Sequence, residues 1–455
     1  MVSFVYSTNS VQKIHFVGIA GVGMSGIAML LAQLGFQVTG SDLAHNAEVI
    51  KDLTSMGVQV FSQHCSDHLL NIDIVVVSSA IPADNVEILA AKQAGLPILK
   101  RAQMLAELMR FQKGIAVAGT HGKTTATSFI ANIFNAANFK PTVVVGGQVK
   151  NNLKQMFCGG SDYFIVEADE SDASFLYLKP LFAVLTSLDA DHMETYSNSM
   201  QNLKQAFIDF ANQVPFYGLV ALCLDDPRLN SVKTLINRPC ITYGMHEQSQ
   251  YRFHSIVQDG LKTNFKLVDI DNVEHDLVLS VPGEHNVANA VAAVVIARQC
   301  KIDWQVIKQG LSSFGGVKRR FDFLGDFSLN AAKNIAVVDD YGHHPKAIDV
   351  TLNAARKVWP NKRIVLCFEP HRYTRLSQMF DAFVSALARA DVVILLPVYA
   401  CGESVIEGVD SAALQNKLIK DYVTTVYLLE KPDKWQDLMQ QVLQTNDLLL
   451  AQGAG

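Results

Sequence analysis

A glycine-rich segment with a lysine offers the most specific chemistry in this sequence. It follows the apolar run IAVAG and precedes the helix-like run ATSFIANIF. Backbone N–H groups of such a loop can surround phosphate oxygens, while the lysine reaches the β and γ phosphates and a hydroxyl ligates Mg²⁺. Val117 stands where the usual phosphate-binding pattern has its first glycine, so this loop is shorter. We predict ATP binding, rather than a structural lysine, for Gly119, Thr120, His121, Gly122, Lys123, Thr124 and Thr125.

Two further side chains could complete a magnesium site beside that loop. Glu167 ends the strand-like run FIVE, and His192 follows the run AVLT within the segment DADH. Parallel sheets build their sites at the carboxyl ends of strands, so both residues are candidates for Mg²⁺ together with Thr124. The simplest interpretation of three neighbouring acids is helix capping, and these are Asp169, Glu170 and Asp191.

A second glycine motif lies near the start of the chain. Residues 21–26, GVGMSG, fit G-x-G-x-x-G between a strand-like and a helix-like run, and Asp42 ends the next strand. The pattern predicts a nucleotide at the helix N-terminus, although close helix–strand packing would use the same glycines. It does not separate NAD from a UDP-sugar, and Asp42 could bind a ribose or a base edge or cap a turn. The candidate ligands are Gly21, Gly23, Gly26, Asp42, Ser78 and Ser79.

Polar residues also open a helix in the segment PGEHNVANA. His285 and Asn289 lie four residues apart on one helical face, and Asn286 is beside them. Because an amide can donate to and accept from an adenine edge, these residues predict a binding site. Capping of the helix by one asparagine is the alternative.

Two strand ends in the last third of the chain carry a different set of side chains. The run AVV leads into DDYGHHP, and RIVLCF leads into EPHRYTR. Arg372 and Arg375 could hold a small carboxylate by forked hydrogen bonds, or they could belong to a solvated ion-pair cluster. The adjacent His343 and His344 point apart, so a metal pair is not predicted there.

All these motifs lie at junctions between strand-like and helix-like runs. Such alternation predicts mainly parallel sheets in three open α/β domains: Rossmann-like, then P-loop ATPase-like, then Rossmann-like again. We expect domains over 1–108, 109–317 and 318–455, with a polar, strand-rich insert at about 240–281. The strand-like run DLLLAQ is followed only by residues 453–455, without the helix that usually comes next, so we expect a truncated third domain.

Length and charge agree with this organisation. A chain of 455 residues suggests about three domains. Its 38 Lys and Arg against 43 Asp and Glu give a net charge of −5, and the charges are mixed along the sequence. That balance argues against a protein organised around a nucleic-acid backbone or an anionic membrane surface.

The cysteines and the leading segment favour the cytoplasm. Seven scattered cysteines without a C-x-x-C pair indicate neither a disulfide framework nor a zinc site. The first twelve residues contain no Lys or Arg, so no secretory signal is predicted. The uncharged run from Ile14 to Ser41 is long enough to cross a bilayer, but its six glycines favour a buried strand, a turn, a helix and a second strand.

Eight separated motifs together resemble the Mur ligases of peptidoglycan synthesis, in the family's order and over almost the whole chain. They are GIAGVGMSGIA, GTHGKTT, EADESD, DADHMETY, PGEHNVANA, VKRRFD, DDYGHHP and FEPHRYTR. The resemblance implies a cytoplasmic enzyme whose first domain binds UDP-N-acetylmuramate, whose central domain binds ATP, and whose last domain binds the incoming amino acid. DDYGHHP and GIAGVGMSGIA look more like the member that adds L-alanine than the one that attaches a recycled tripeptide.

The resemblance also implies roles for individual residues. It gives the ATP phosphates to residues 119–125, Mg²⁺ to Thr124, Glu167 and His192, and catalysis to Lys123, Glu167 and His192. It assigns adenine to His285, Asn286 and Asn289, and brings Arg320 and Asp340 to the ATP from the third domain. Its implied alanine neighbours are Tyr341, His343, Arg372 and Arg375. Phe207 stands where sister ligases carry a carbamylated lysine, so any second Mg²⁺ must use other ligands.

Three functions follow as hypotheses. In the ligase, ATP phosphorylates the muramoyl carboxylate and the alanine amine then displaces phosphate. A pyridine-nucleotide oxidoreductase would rest on residues 21–26 alone and predicts NAD(P)H binding. An ATP-gated interaction module would leave Glu167, His192 and the two arginines without a role.

Overall fold

A computed structural model describes residues 11–44, 46–146, 156–157, 159–330, 333–422, 425–429 and 431–454. The chain divides into two compact units. Over the described residues, the first comprises 11–44, 46–146, 156–157, 159–252 and 289–310, and the second comprises 253–288, 311–330, 333–422, 425–429 and 431–454. Three sheets with helices between their strands form an α/β architecture, as the sequence predicts.

The N-terminal sheet is five-stranded, and its described strand pairs are parallel, in the order β3-β2-β1-β4-β5. The inner strands Lys13–Val17 and Ile74–Val77 are largely buried because helices pack on the sheet. In chain order the elements are β1 Lys13–Val17, α1 Val22–Gln33, β2 Gln37–Ser41, α2 Ala47–Ser55, β3 Gln59–Phe61, β4 Ile74–Val77, α3 Val86–Gln93, β5 Ile98–Lys100 and α4 Arg101–Met109.

The uncharged run near the N-terminus thus folds as β1, the glycine turn, α1 and β2. Close packing joins these elements: a Cβ placed on Gly40 would lie 2.8 Å from the backbone oxygen of Phe16 and 2.5 Å from Ile19. Only glycine therefore fits at that point of β2 without a shift. In the part of the chain that the structure describes, no helix is long and apolar enough to cross a membrane.

The central sheet belongs to the first unit over most of its width. Its parallel core has the order β12-β11-β10-β6-β9-β7, and β8 adds an antiparallel edge. The elements are β6 Lys113–Ala118, α5 Lys123–Ala136, β7 Thr142–Val144, β8 Met156–Phe157, β9 Tyr163–Glu167, β10 Phe182–Leu185, α6 Met200–Asn212, β11 Leu219–Cys223, α7 Pro227–Val232 and β12 Cys240–Gly244.

The predicted polar insert is a set of strands with alternating exposure. Strand β13, Tyr251–Asp259, begins beside β12 and continues into the second unit, where β14, Lys262–Val268, pairs antiparallel with β15, Glu274–Leu279. Helix α8, Glu284–Gln299, likewise begins in the second unit and continues into the first, and α9 is Trp304–Ser312.

The third sheet lies in the second unit and has the order β16-β17-β21-β18-β19-β20. Strand β16 pairs antiparallel with β17, and the other described pairs are parallel. The elements are β16 Asp322–Asn330, β17 Lys333–Asp340, α10 Pro345–Val358, β18 Ile364–Phe368, α11 Tyr373–Gln378, α12 Phe380–Leu387, β19 Val392–Leu395, α13 Ser411–Tyr422, β20 Thr425–Leu428, α14 Trp435–Val442 and β21 Leu448–Gln452.

Strand β21 is central to that third sheet. It pairs with β17 on one side and β18 on the other, although more than a hundred residues separate it from β17 in sequence. Asp447 just before it is 2% exposed and receives two hydrogen bonds from the Arg363 guanidinium, at 3.1 and 2.7 Å. The domain limits near residues 108 and 317 and the predicted truncation remain predictions.

Candidate active site

The segment predicted to bind phosphate connects β6 to α5. Gly119 has φ +145°, and a Cβ there would lie 2.0 Å from the Thr186 hydroxyl oxygen and 2.9 Å from the Ser187 nitrogen. Gly122 has φ +85° and precedes the first residue of α5, and a Cβ there would lie 2.4 Å from Asn289 Oδ1. Both glycines are therefore required by the backbone and by the close approach of neighbours.

The residues after β10 fix this loop. The Ser187 carbonyl accepts from the Thr120 N–H at 3.1 Å, and the Ser187 hydroxyl accepts from the His121 N–H at 2.8 Å. The Thr186 hydroxyl donates to the His121 carbonyl at 2.6 Å. Thr120 also contacts the Asp189 backbone, whose N–H donates to the Thr120 hydroxyl at 2.8 Å. The loop shape thus depends on two hydroxyl residues that sequence reasoning did not single out.

Lys123 is held at the start of α5 by two oxygens. Its Nζ donates to the Gly119 carbonyl at 2.7 Å and to Glu170 Oε1 at 2.8 Å. The lysine side chain is 15% exposed and the Glu170 side chain 4%. Burial raises the pKa of the Glu170 carboxyl, and pairing with Lys123 opposes that rise. The ammonium is therefore fixed in direction in a partly dehydrated setting.

Glu170 is thus a site residue that the sequence reasoning assigned to helix capping. It follows β9 by three residues, and its backbone carbonyl accepts from the Tyr196 hydroxyl at 2.5 Å. The only sequence signal for it is its place in the acidic run EADE beyond a strand end. Asp169 contacts the Ser171 N–H as a turn residue would, at 2.9 Å.

Two of the three predicted magnesium ligands are adjacent. The Thr124 hydroxyl donates to Glu167 Oε1 at 2.8 Å, and Glu167 Oε2 accepts from the Gly146 N–H at 2.7 Å. Glu167 reaches this position because β9 lies beside β6, with Glu167 paired to Val117 in register. A hydroxyl next to a carboxylate is an oxygen donor set of the kind Mg²⁺ takes, so these residues fit the ion.

His192 lies in the loop after β10. It has φ +52°, and its Nε2 is 3.7 Å from Asp191 Oδ2, while its side chain is 29% exposed. His121 stands similarly, with Nε2 3.7 Å from Asp189 Oδ2. Both imidazoles are thus accessible beside carboxylates on the loops after β6 and β10. Thr125 follows Thr124 in the first turn of α5 and is half-buried.

Phe207 does not offer a ligand in this structure. It is fully buried in α6, where its ring centroid lies 5.3 Å from that of Phe175. The residue fills the hydrophobic core, which agrees with the expectation that a second metal ion would need other ligands.

The N-terminal glycine loop runs from Gly18 to α1. Gly23 approaches Arg101, whose Cδ would be 3.1 Å from a Cβ there. Gly21 precedes the first turn of α1, and Gly26 is buried within that helix. Gly18, which was not predicted, has φ +82°, and a Cβ there would lie 3.0 Å from the Cβ of Ser78. The close packing at Gly18 thus joins the loop to the Ser78 segment.

Asp42 supports the turn in the structure. Its Oδ2 accepts from the Ala20 N–H and its Oδ1 from the Ala44 N–H, both at 2.8 Å. This is the turn-capping alternative, and contact with a ribose or base remains a prediction. Ser78 is half-buried and Ser79 exposed beyond the end of β4.

The helix α8 residues have different surroundings. Asn289 is 6% exposed and contacts Gly122 of the phosphate loop. Asn286 is equally buried, and its amide donates to the Pro282 carbonyl at 2.7 Å, so it also secures the start of its own helix. His285 is exposed.

In the third sheet, Tyr341 lies under two guanidinium groups. The Cζ atoms of Arg319 and Arg320 are 5.0 and 5.1 Å from its ring centroid. Asp340 is 7% exposed and accepts from the Phe321 and Gly342 N–H groups at 2.8 and 2.9 Å. Its carboxylate thus organises its own domain, and contact with ATP remains a prediction.

The predicted carboxylate-binding arginines have partners. Arg372 has φ +69°, and its Nε donates to Glu403 Oε1 at 2.6 Å. Burial opposes ionisation of Glu403, but hydrogen bonds from Thr374 and Arg372 hold the pKa of that carboxyl below its usual value. Glu403 is a second residue that sequence reasoning missed, because it lies 31 positions from Arg372 in a loop without a motif.

Two histidine rings lie beside Arg375. Arg375 is 6% exposed and contacts His371 Nδ1 at 3.1 Å, and the His371 and His343 ring centroids are 5.4 Å apart. His343 lies edge-on to Tyr341 at 5.3 Å. The structure therefore brings Tyr341, His343 and Arg375 together through His371. His344 instead caps α10, accepting from the Lys346 N–H at 3.2 Å.

Comparison with known proteins identifies one family throughout. Models described as the Mur ligase family catalytic domain, the Mur ligase middle domain and the Mur ligase glutamate ligase domain match residues 13–113, 117–297 and 319–455.

Solved structures are similar over nearly the full length. A UDP-N-acetylmuramate–alanine ligase from Thermotoga maritima is 29% identical, with 97% of this chain and 96% of that chain covered and a TM-score of 0.77. A murein peptide ligase from Psychrobacter arcticus is 25% identical over 98% and 96%, with a TM-score of 0.68. A MurF ligase from Thermotoga maritima, in complex with ADP, shares the fold at 14% identity over 92% and 91%, with a TM-score of 0.60.

Replacement of Glu170 by Gln tests the buried ion pair. We expect Glu170→Gln to lower the free energy of unfolding by about 3 kcal/mol, because the largely buried Lys123 ammonium loses its counter-charge. The matched control is Glu107→Gln, whose pair with Arg110 is half-exposed, and here we expect about 0–1 kcal/mol. Denaturant unfolding followed by fluorescence measures both. Equal losses for the two variants would contradict a special role for the Lys123 pair.

Proposed function

Because the chain belongs to the Mur ligase family, we propose that it is the member that uses ATP to join L-alanine to the carboxylate of UDP-N-acetylmuramate. The observation that carries the proposal is the loop from Gly119 to Lys123, whose cation is directed by Glu170 beside the Thr124 and Glu167 oxygens. Such a loop suits the transfer of a phosphoryl group from ATP.

The reaction needs an activated carboxylate, since a free carboxylate is a poor acyl donor. A muramoyl carboxylate oxygen attacks the γ-phosphorus of ATP, which forms an acyl phosphate and releases ADP. The alanine amine then attacks the acyl carbon, phosphate leaves, and the amine loses a proton. Lys123 stabilises charge on the phosphoryl oxygens in the first step. The Thr120 and His121 N–H groups, which the sequence predicts at the phosphates, donate instead to Ser187.

Magnesium would be held by Thr124 and Glu167, with His192 as the third predicted ligand, and when bound it would supply neutralising charge at the phosphates. The fixed position of Glu167 between the Thr124 hydroxyl and the Gly146 N–H supports this assignment. We place adenine at His285, Asn286 and Asn289, and Arg320 and Asp340 near the ATP.

The other substrates are assigned to the outer domains. We propose that the 1–108 domain binds the UDP part through Gly21, Gly23, Gly26, Asp42, Ser78 and Ser79. We assign ATP to the 109–317 domain and L-alanine to the 318–455 domain, where the alanine neighbours are Tyr341, His343, Arg372 and Arg375. We propose that the reaction takes place in the cytoplasm, as the family resemblance implies, and the six free described cysteines agree with this.

A second candidate is the ligase that attaches a recycled peptide to UDP-N-acetylmuramate. The murein peptide ligase from Psychrobacter arcticus is 25% identical to this chain over nearly the full length of both proteins, and this similarity favours the second candidate. The DDYGHHP and GIAGVGMSGIA segments support the alanine-adding enzyme instead.

Substrate omission tests the proposal directly. We expect phosphate release from ATP only when UDP-N-acetylmuramate, L-alanine and Mg²⁺ are present together, since the acceptor carboxylate and the amine complete the reaction. Replacing L-alanine with L-alanyl-γ-D-glutamyl-diaminopimelate distinguishes the second candidate. ATPase activity that is equal without the UDP substrate would exclude both ligases, and tight NADH binding would favour an oxidoreductase.

Removal of the Lys123 ammonium tests its role in phosphoryl transfer. We expect Lys123→Ala to lower kcat by about 10²–10³, the usual effect of losing one preorganised charge-stabilising donor. The control is Lys204→Ala in α6, whose exposed ammonium contacts Ser231. A folded Lys123→Ala protein with near-normal turnover would show that another cation stabilises the phosphoryl group.

Arginine geometry can be tested while charge is retained. We expect Arg372→Lys to raise KM for L-alanine about tenfold to a hundredfold, because lysine cannot form two parallel bonds to a carboxylate. KM for ATP and for UDP-N-acetylmuramate should hardly change. Arg389→Lys, in an exposed pair with Asp349, is the control. An unchanged KM for L-alanine would leave Arg372 as the partner of Glu403 only, and an ATP-selective defect would move it to the nucleotide.

A further inference from the structure

A buried glutamate in the N-terminal sheet is surrounded by three histidines. Glu87, in the first turn of α3, is 0% exposed. Its Oε1 lies 2.8 Å from His68 Nδ1 and 3.4 Å from His15 Nε2, and its Oε2 lies 3.0 Å from His64 Nδ1. None of these side chains belongs to the predicted nucleotide loop, and the proposed reaction gives them no task.

His15 indicates what this cluster can bind. It is fully buried in β1, and its Nδ1 lies 2.8 Å from the Thr39 hydroxyl oxygen in β2. Its Nε2 is buried without a hydrogen-bond partner, although it lies 3.4 Å from Glu87 Oε1. If Nδ1–H donates to Thr39, Nε2 presents a lone pair to a carboxylate oxygen. That contact is repulsive unless a cation lies between the two atoms.

The distances suit a small tetrahedral ion. Bond lengths of about 2.0–2.1 Å to zinc place neighbouring ligand atoms about 3.3 Å apart. The observed separations from Glu87 Oε1, 3.4 Å to His15 and 2.8 Å to His68, lie on either side of that value. His15, His68 and Glu87 each offer one ligand atom, and the three atoms lie within 4.8 Å of one another.

We propose that His15 Nε2, His68 Nδ1 and Glu87 Oε1 bind a divalent transition metal ion, with Zn²⁺ as the best fit. Two imidazoles and one carboxylate are a donor set that zinc accepts and that Mg²⁺ rarely takes. With an ion on Nε2, the proton of His15 would lie on Nδ1 and be donated to the Thr39 hydroxyl, as outer partners of metal-bound histidines accept.

A neighbouring aromatic ring fixes the orientation of His68. The His68 ring is stacked on Phe61 with centroids 3.8 Å apart, which fixes its direction. Binding of the ion uses the Nδ1 lone pair of a neutral His68, whose ring proton then lies on Nε2.

The ion would connect three parts of the N-terminal domain directly and β2 through a hydrogen bond to Glu87. His15 lies on β1, His68 on the turn Ser66–Leu69 after β3, and Glu87 on α3, while Ser41 of β2 donates to Glu87 Oε2 at 2.5 Å. Ser41 directly precedes Asp42, which holds the Ala20 N–H of the glycine loop. With three protein ligands, the fourth position of a tetrahedral ion would be left to water. The site stands independently of the proposed ligase activity.

Metal analysis of untagged protein, purified without chelator or metal-affinity resin, tests the proposal. We expect about one Zn²⁺ per chain by mass spectrometry. After its removal, we expect Co²⁺ to give the visible absorption of a tetrahedral site and Zn²⁺ to raise Tm in buffer free of ATP and Mg²⁺. Wild-type protein with neither bound zinc nor the cobalt spectrum would overturn the proposal.

Two variants locate the ion. His68→Asn should weaken Zn²⁺ binding at least a hundredfold, and Thr39→Val, which keeps the side-chain shape, should weaken it about tenfold to a hundredfold. His246→Asn, at an exposed histidine elsewhere in the first unit, should bind as the wild type does. Each folded variant is titrated with Co²⁺ against a competing chelator. Unchanged affinity in His68→Asn would place the ion elsewhere and refute this site.

Discussion

Strand β6 lies between β9 and β10, and that arrangement determines the geometry of the central site. Each strand ends at the same edge of the sheet, so the loop after β6 has Glu167 and Glu170 on one side and the hydroxyls of Thr186 and Ser187 on the other. Thr186 and Ser187 hold the loop backbone. Glu170 and Glu167 hold the Lys123 ammonium and the Thr124 hydroxyl. Without this strand order, the glycines would allow many conformations rather than one.

Carboxylates in this protein differ in function because their partners differ. Glu170 faces an ammonium, Glu167 faces a hydroxyl and a backbone N–H, and Asp340 faces backbone N–H groups together with Gln452 and Thr351. Of these three, Glu167 has its hydroxyl neighbour, Thr124, at the start of α5 beside the phosphate loop. Buried position alone therefore does not identify a ligand, and the partner of each carboxylate has to be known.

The sequence predicts those features that depend on local pattern. The apolar runs locate β1, β6 and β17, and the phosphate loop is recognised because its lysine and glycines are consecutive. Strands β3 and β16 escape prediction because one is only three residues long and the other is polar on one face. No local sequence pattern marks residues that contact each other from distant parts of the chain. Examples are Glu170 with Lys123, Glu403 with Arg372, and Glu87 with His15.

The position of β21 has a consequence for synthesis of the chain. Strands β17 and β18 are not neighbours, since β21 lies between them. A ribosome makes β17 and β18 well before it makes β21. The nascent chain therefore holds two separate groups of strands, each with an unpaired edge. Inserting β21 between β17 and β18 closes a long loop of chain, and the entropy cost of that loop slows folding. Until then, those edges are the surfaces that a chaperone would shield from other nascent chains.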